Sequence, residues 1–388
     1  MIRTLIVDDS PLVRAIIRDF LESDGSFEII AEAENGLDGV TQARLLNPDL
    51  ITMDIEMPVM NGLDAIVEIK KNVNTAIVVI STHDTAKMAY EATAKGAHEF
   101  FAKDLFTSQM GGERHVEIID TLKHITSIKK RIHDHSDTVK QIAIKGINTA
   151  GLGFEKARPA SAACGGFPQQ SCGVLNPSFP HSLDHARAST VAISLRSSIK
   201  PRKINAVVIA ASTGGPMALC RLFTALPGEL SVPIILVQHN TSGFDRSFAQ
   251  WLDGYTPLNV CLAEEGTVPS KGNIYVAPTD RHLLVGDSGI MFDDSEPINS
   301  QKPAADLLFK SAASFYGEGL VSVVLTGMGS DGADGTRYVK QAGGVTIAQD
   351  EASSMIYGMP YAAAETGCVD IVLPLDEIAP ELIFLTRG

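Results

Sequence analysis

Cysteine is scarce, with five residues in 388, odd in number and irregularly spaced, so no disulfide framework is expected. Basic charge is also short. Thirty-two lysines and arginines face 46 acids, for a net charge of −14, which argues against nucleic acid as the main ligand. No stretch approaches the ~20 consecutive apolar residues of a membrane span. The opening, MIRTLIVDDSPLVR, lacks the longer apolar run and the small-residue cleavage site of a secretory signal. The expectation is a cytoplasmic protein without direct membrane insertion.

The remaining composition is that of globular protein, 45% hydrophobic and 20% charged. The length suggests two or three domains at ~150 residues each. Charge divides the chain. Residues 123–203 carry 13 lysines and arginines against four acids, or +9, which leaves −23 on the rest. A basic middle between acidic blocks reads as a linker or docking segment. The expected divisions are 1–122, 123–203 and 204–388.

In the first block short apolar runs (Thr4–Val7, Phe27–Glu32, Asp49–Asp54, Ile77–Ser81, Ala97–Ala102) alternate with helical spacing at Pro11–Leu21 and Gly36–Leu46. That alternation predicts a doubly wound parallel sheet. Val116–Ile144 reads as a basic helix, and Gly146–Lys200 as a flexible linker rich in Gly, Ala, Ser and Pro. From Ile204 the alternation resumes, with strands expected at Ala206–Ala211, Val232–Val237, Ile274–Ala277, Val321–Leu325 and Val345–Ala348. The fold class is therefore α/β, with two doubly wound parallel-sheet domains joined by a long linker.

Asp8, Asp9 and Asp54 end strands of the first block, and such ends converge on one crevice. Three carboxylates there repel one another unless a hard cation such as Mg2+ is present. Ser81 and Lys103 follow later strands to the same edge. The set suits a phosphoryl group on Asp54, neutralised by Mg2+ and Lys103. These residues, with the MDIEMPVMNG run around Asp54, make residues 1–107 resemble the receiver domain of two-component response regulators. The resemblance implies a flavodoxin-like fold, phosphorylation of Asp54 by a histidine kinase, and Mg2+ held by Asp8, Asp9, Asp54 and the Glu56 backbone. It also implies a phosphoryl switch made of Ser81, Phe100 and Lys103. One departure is Asp104, where family members usually carry a proline, often after a cis bond. Before a non-proline residue that bond costs ~3 kcal/mol more.

In the last block Ser212 follows its strand and precedes Thr213, Gly214, Gly215, Pro216 and an apolar helix. A strand-to-helix turn lifts a serine hydroxyl clear of the sheet, and the helix N-terminus favours developing negative charge. His239 and Asp331 also follow strands, so all three reach one sheet edge, as a nucleophile, base and orienter must. Taken singly, a serine here is more often a helix cap, as Thr213 could equally be. A lone histidine is more often structural, and an aspartate among glycines more often marks a turn. The joint pattern outweighs those readings.

The ASTGGP run at Ser212, VQH at His239, YVAPTDRHLLV around His282 and LTGMGSDGADG at Asp331 make residues 203–388 resemble the chemotaxis receptor protein-glutamate methylesterase and glutamine deamidase. That family places a receiver, a linker and this domain in the same order. The resemblance implies Ser212 as nucleophile, His239 as general base and Asp331 as its orienter, with oxyanion donors at the Met328 N–H and near Thr213. It further implies that chemoreceptor cytoplasmic domains are the substrate, that ester hydrolysis needs no cofactor, and that the face from Lys87 to Leu105 of an unphosphorylated receiver covers the site. His282 is expected to be a local hydrogen-bonding or substrate-contact residue, and the protein a monomer.

Two rivals remain. Gly327 to Gly332 spell G-x-G-x-x-G after a strand, with Asp350 about twenty residues on, as in a dinucleotide-binding fingerprint. Asp331 would then set a carboxylate where a pyrophosphate must sit. Cys164, Cys172, His181 and His185 could hold zinc, but the cysteines stand eight apart, wider than structural sites use. Cys220, Cys261 and Cys368 lie in apolar stretches and are expected to be buried.

Overall fold

A computed structural model describes residues 1–82, 86–106, 115–116, 118–127, 203–240 and 242–387. Most of the expected linker, residues 128–202, lies outside this range, as do the four residues of the zinc alternative.

The first sheet contains β1 (Ile2–Val7), β2 (Phe27–Ala33), β3 (Leu50–Met53), β4 (Ala76–Ser81) and β5 (Glu99–Ala102), in the order β2-β1-β3-β4-β5. Its pairings are all parallel. Every residue of β3 and β4 is buried, because helices cover both faces of such a sheet, and this is why those segments read as unbroken apolar runs. Helices α1 (Pro11–Glu22), α2 (Gly36–Leu46) and α3 (Gly62–Lys70) start on side-chain caps from Ser10, Asn35 and Asn61. The polar letters of the sequence motifs therefore also place helix starts. Residues 118–127 are helical, and Ile118, Ile119, Leu122 and Ile125 pack on the core of this sheet.

The second sheet runs β14-β13-β12-β6-β7-β9-β8, with all pairings parallel. Its members are β6 (Ala206–Ala211), β7 (Ile234–Gln238), β8 (Asn259–Leu262), β9 (Asn273–Val276), β12 (Leu320–Val324), β13 (Val345–Gln349) and β14 (Ile371–Leu373). A separate antiparallel hairpin joins β10 (His282–Gly286) to β11 (Gly289–Asp293). The strand order reverses between β6 and β12, and in the first sheet between β1 and β3. Open α/β sheets place their crevices at such points, outside the carboxyl ends of the strands.

The two units meet along α4 (Ala86–Ala94), β5 and the helical residues 118–127. Tyr90 on α4 is fully buried. It stacks on Trp251 at 5.4 Å and meets Phe248 at 5.3 Å, both on the helix Asp245–Asp253. The Phe100 ring stacks on Phe244 at 5.2 Å. The Thr121 hydroxyl donates to the Met328 thioether at 3.7 Å. The contact includes Tyr90 and Phe100 of the expected Lys87–Leu105 face and reaches beyond it to Thr121.

Candidate functional site

Asp8, Asp9 and Asp54 converge at the first switch point, with carboxylate oxygens within 4.8 Å of one another. Lys103 reaches across to Asp8 at 2.8 Å and Asp54 at 2.7 Å. Burial pushes the Asp54 carboxyl above its ordinary range, against the pull of Lys103. Burial opposes the charge on Lys103, but its two carboxylate partners outweigh this and raise it. Gly62 has no alternative here, since a β-carbon would collide with the Asp54 carbonyl. The bond between Lys103 and Asp104 is trans, and Lys103–Phe106 forms a 3-10 turn without the proline. Three oxygen donors in one crevice fit a hard divalent cation.

At the second switch point Ser212 leaves β6. Its N–H donates to the Thr326 carbonyl after β12 at 3.0 Å, and its carbonyl accepts from Gly215 at 2.7 Å. The helix Gly215–Thr224 begins at Gly214, whose φ of 75° suits glycine, and has no side-chain cap. Neither Ser212 nor Thr213 is the helix cap that their positions suggested. The Ser212 hydroxyl makes no hydrogen bond among the described residues.

The neighbouring strand β7 delivers His239, whose N–H donates to Ala211 at 3.0 Å. Gln238 fastens the two turns together. Its amide donates to the carbonyls of Ser212 at 3.0 Å and His239 at 2.9 Å. The third element follows β12. A β-carbon on Gly327 would lie 2.7 Å from that of Ser212 and would strike the Met359 sulfur. Only glycine permits this approach, which brings Met328 beside the serine. The Met328 N–H donates to no group among the described residues.

His239 Nε2 lies 2.8 Å from Asp331. Asp331 also accepts from the backbone N–H groups of Ala305 at 2.6 Å, Asp306 at 2.9 Å and Gly332 at 3.0 Å. Burial alone would push its carboxyl up. The His239 contact and the donors at Ala305 and Asp306 outweigh that and hold it below the usual carboxylate range. It is therefore an anion that keeps the Nε2–H of His239 directed at itself. His239 Nδ1 is buried with no hydrogen-bond partner, leaving a lone pair available as a base.

Sequence reasoning missed Asp306. Its Oδ1 accepts from Gly332 at 2.9 Å and Gly335 at 2.7 Å, so it caps the helix Ala333–Gln341 and fixes the loop that carries Asp331. Burial first, then the nearby Asp331 charge, lift its carboxyl to about 6. This arrangement overturns the dinucleotide alternative, because a protein carboxylate already fills the helix N-terminus where a pyrophosphate would bind. Asp350 is likewise engaged, accepting from the Ser353 N–H at 3.0 Å and its hydroxyl at 2.6 Å.

His282 is fully buried, which excludes it as a substrate contact. Its Nδ1 accepts from the Ala304 N–H at 3.0 Å and its Nε2 meets the Glu296 carbonyl at 3.1 Å. It anchors the residue preceding the two N–H groups that hold Asp331. Cys220, Cys261 and Cys368 are half-buried free thiols, less enclosed than their apolar surroundings suggested. No helix among the described residues is long and apolar enough to cross a membrane.

Two family models match the chain, the response regulator receiver domain over residues 4–111 and CheB methylesterase over residues 207–382. The protein-glutamate methylesterase/protein-glutamine glutaminase of Pyrococcus horikoshii is 36% identical, across 98% of this chain and 92% of its own length. That of Clostridium acetobutylicum is 37% identical, across 100% and 98%. Among solved structures, the Thermotoga maritima CheB methylesterase catalytic domain aligns at 39% identity and a TM-score of 0.46, covering 47% of this chain and all of its own. A receiver domain ahead of a methylesterase domain, and full-length relatives of one kind, show that the chain belongs to the protein-glutamate methylesterase/protein-glutamine glutaminase family.

Proposed function

We propose that the protein hydrolyses glutamate methyl esters on the cytoplasmic helices of chemoreceptors, releasing methanol, and deamidates specific glutamines there. Phosphorylation of Asp54 by a histidine kinase relieves the cover that the receiver forms. The reaction takes place in the cytoplasm. The observation that carries this reading is the His239–Asp331 pair, with its second ring nitrogen buried and unpartnered beside the Ser212 turn.

In the first half-reaction Ser212 Oγ bonds to the ester carbonyl carbon as its proton passes to His239 Nδ1. Asp331 stabilises the imidazolium through Nε2–H. The oxyanion faces the Met328 N–H and the turn at Thr213, and one such donor is worth ~10²–10³ in rate. The tetrahedral adduct collapses, and the alkoxide leaves as methanol with the proton held on Nδ1. In the second half a water gives its proton to Nδ1 and attacks the acyl-serine, and the collapsing adduct frees the glutamate carboxylate as Nδ1 returns that proton to Ser212 Oγ. With a glutamine substrate the leaving group is ammonia.

In the receiver, Asp8, Asp9, Asp54 and the Glu56 backbone carbonyl would hold Mg2+, which when bound neutralises charge on phosphoryl oxygens. Lys103 contributes a second positive charge from the protein itself. The test is methanol release from methylated receptor membranes, with and without acetyl phosphate. Release should rise with the phosphodonor and vanish in Ser212→Ala. Folded protein that releases no methanol from several receptor preparations would defeat the reading.

A further inference from the structure

Glu99 opens β5 of the receiver, yet its side chain enters the turn of the other domain. Oε2 accepts the Gly214 N–H at 3.1 Å, while Oε1 accepts the Phe100 N–H at 3.1 Å. Gly214 begins the helix behind Ser212, and that helix has no side-chain cap of its own. A helix normally satisfies its first N–H groups from its own preceding residues or from solvent. Here the donor on the nucleophile turn is satisfied by a glutamate from another domain.

The contact is costly for the receiver. Glu99 is half-buried, and burial is the chief influence on its carboxyl, followed by the two backbone donors. Among the described residues no cation offsets the desolvation, whereas buried charges are ordinarily paired. Its position is also informative. Phe100, whose N–H holds Oε1, stacks on Phe244 across the interface. Glu99 therefore joins the strand residue of the expected phosphoryl switch to the turn that carries the nucleophile.

We propose that the Gly214 N–H is a substrate-binding donor for the side-chain carbonyl oxygen of the methylated glutamate, and that Glu99 is an internal stand-in for that side chain. This rests on the esterase reading. Glu99 has the length and acceptor oxygens of the substrate residue and lacks only the methyl group. Having no ester, it cannot be turned over. Its occupancy is an intramolecular competition, which raises the apparent KM of the docked enzyme and leaves kcat in place. Movement of Phe100 would carry Glu99 off the donor.

Full-length Glu99→Ala and the wild type are compared for methanol release from methylated receptor membranes, with and without acetyl phosphate. Without the phosphodonor, Glu99→Ala should raise kcat/KM about tenfold or more, mainly through KM, since the acceptor that occupies the Gly214 N–H is lost. With it, both proteins should work at similar rates. Hydrogen exchange of the peptide spanning residues 212–218 reads the contact without catalysis and should quicken in unstimulated Glu99→Ala. An unchanged KM in a variant that still responds normally to acetyl phosphate overturns the proposal, as does unchanged exchange. Faster exchange with no methanol from any protein defeats the esterase reading, and the substrate role of Gly214 with it.

Discussion

His239 directs Nε2 at the Asp331 carboxylate, 2.8 Å away, and leaves Nδ1 buried and without a hydrogen-bond partner. The pairing fixes one tautomer, because Asp331 is held as an anion that only accepts. In the proposed mechanism the base is therefore Nδ1.

Asp331→Asn tests this assignment. An amide can present its NH2 group to Nε2, which would favour the tautomer with the proton on Nδ1. The expected loss in kcat is about 10³–10⁴, with little change in KM. The amide must also face the three backbone donors that now meet the carboxylate, so stability should fall by roughly 1–3 kcal/mol. Methanol release and urea denaturation measure the two effects separately. A variant with full kcat would show that Asp331 does not set the tautomer.

Gly327→Ala tests how the serine is placed. The added methyl would lie 2.7 Å from the Ser212 β-carbon and would strike the Met359 sulfur. One of the three must move, shifting either the hydroxyl or the Met328 N–H. Overpacking of this kind costs ~1–3 kcal/mol. The larger effect should be on kcat, down about 10²-fold, since an ångström of misplacement is enough for that. An active variant of normal stability would show that the turn is more pliant than this packing implies.

Tyr90→Ala tests the docked face. Tyr90 stacks on Trp251, meets Phe248, and donates to the Asn240 side chain at 3.3 Å, next to His239. Aromatic pairs contribute about 0.5–1.5 kcal/mol beyond the area they bury. Losing two of them should raise unstimulated methanol release roughly tenfold or more and shrink the response to acetyl phosphate. Trp251→Ala should act alike from the other side of the interface. Unstimulated rates that stay at the wild-type level in both would exclude this face as the gate.

The parts legible in the sequence are those where local chemistry and period coincide. β6, β7, β12 and β13 are parallel strands buried on both faces, so they appear as apolar runs. Ser212, His239 and Asp331 stand directly after or near such runs. The hairpin β10–β11, read only as part of a motif, has an irregular burial pattern. β14 is three residues long, too short to show a period. Asp306 and Glu99 carry no local signal. An acid in the first turn of a helix is ordinary dipole chemistry, and an acid at the start of a strand passes for a solvated one. Their roles arise from partners far along the chain, Gly332 for Asp306 and Gly214 for Glu99, and only the fold brings them together.

The Glu99 contact also predicts how the gate responds to pH. In the docked state burial lifts its carboxyl from an ordinary 4.5 to about 7. Among the described residues the titratable group facing it is Tyr90, itself held well above its usual range by burial and then by the charges of Glu99 and Asp245. A raised carboxyl binds its proton more tightly when docked than when released to solvent. Docking therefore gains its full support from Glu99 below about 4.5, loses it as pH rises to about 7, and changes little beyond. Unstimulated activity, taken as a fraction of the acetyl phosphate-stimulated rate at each pH, should climb across that interval. Glu99→Gln keeps a neutral acceptor for Gly214 at every pH, so its ratio should stay flat and low at pH 8, where the wild type has partly opened. A Glu99→Gln profile that rises in parallel with the wild type would place the pH response on another group.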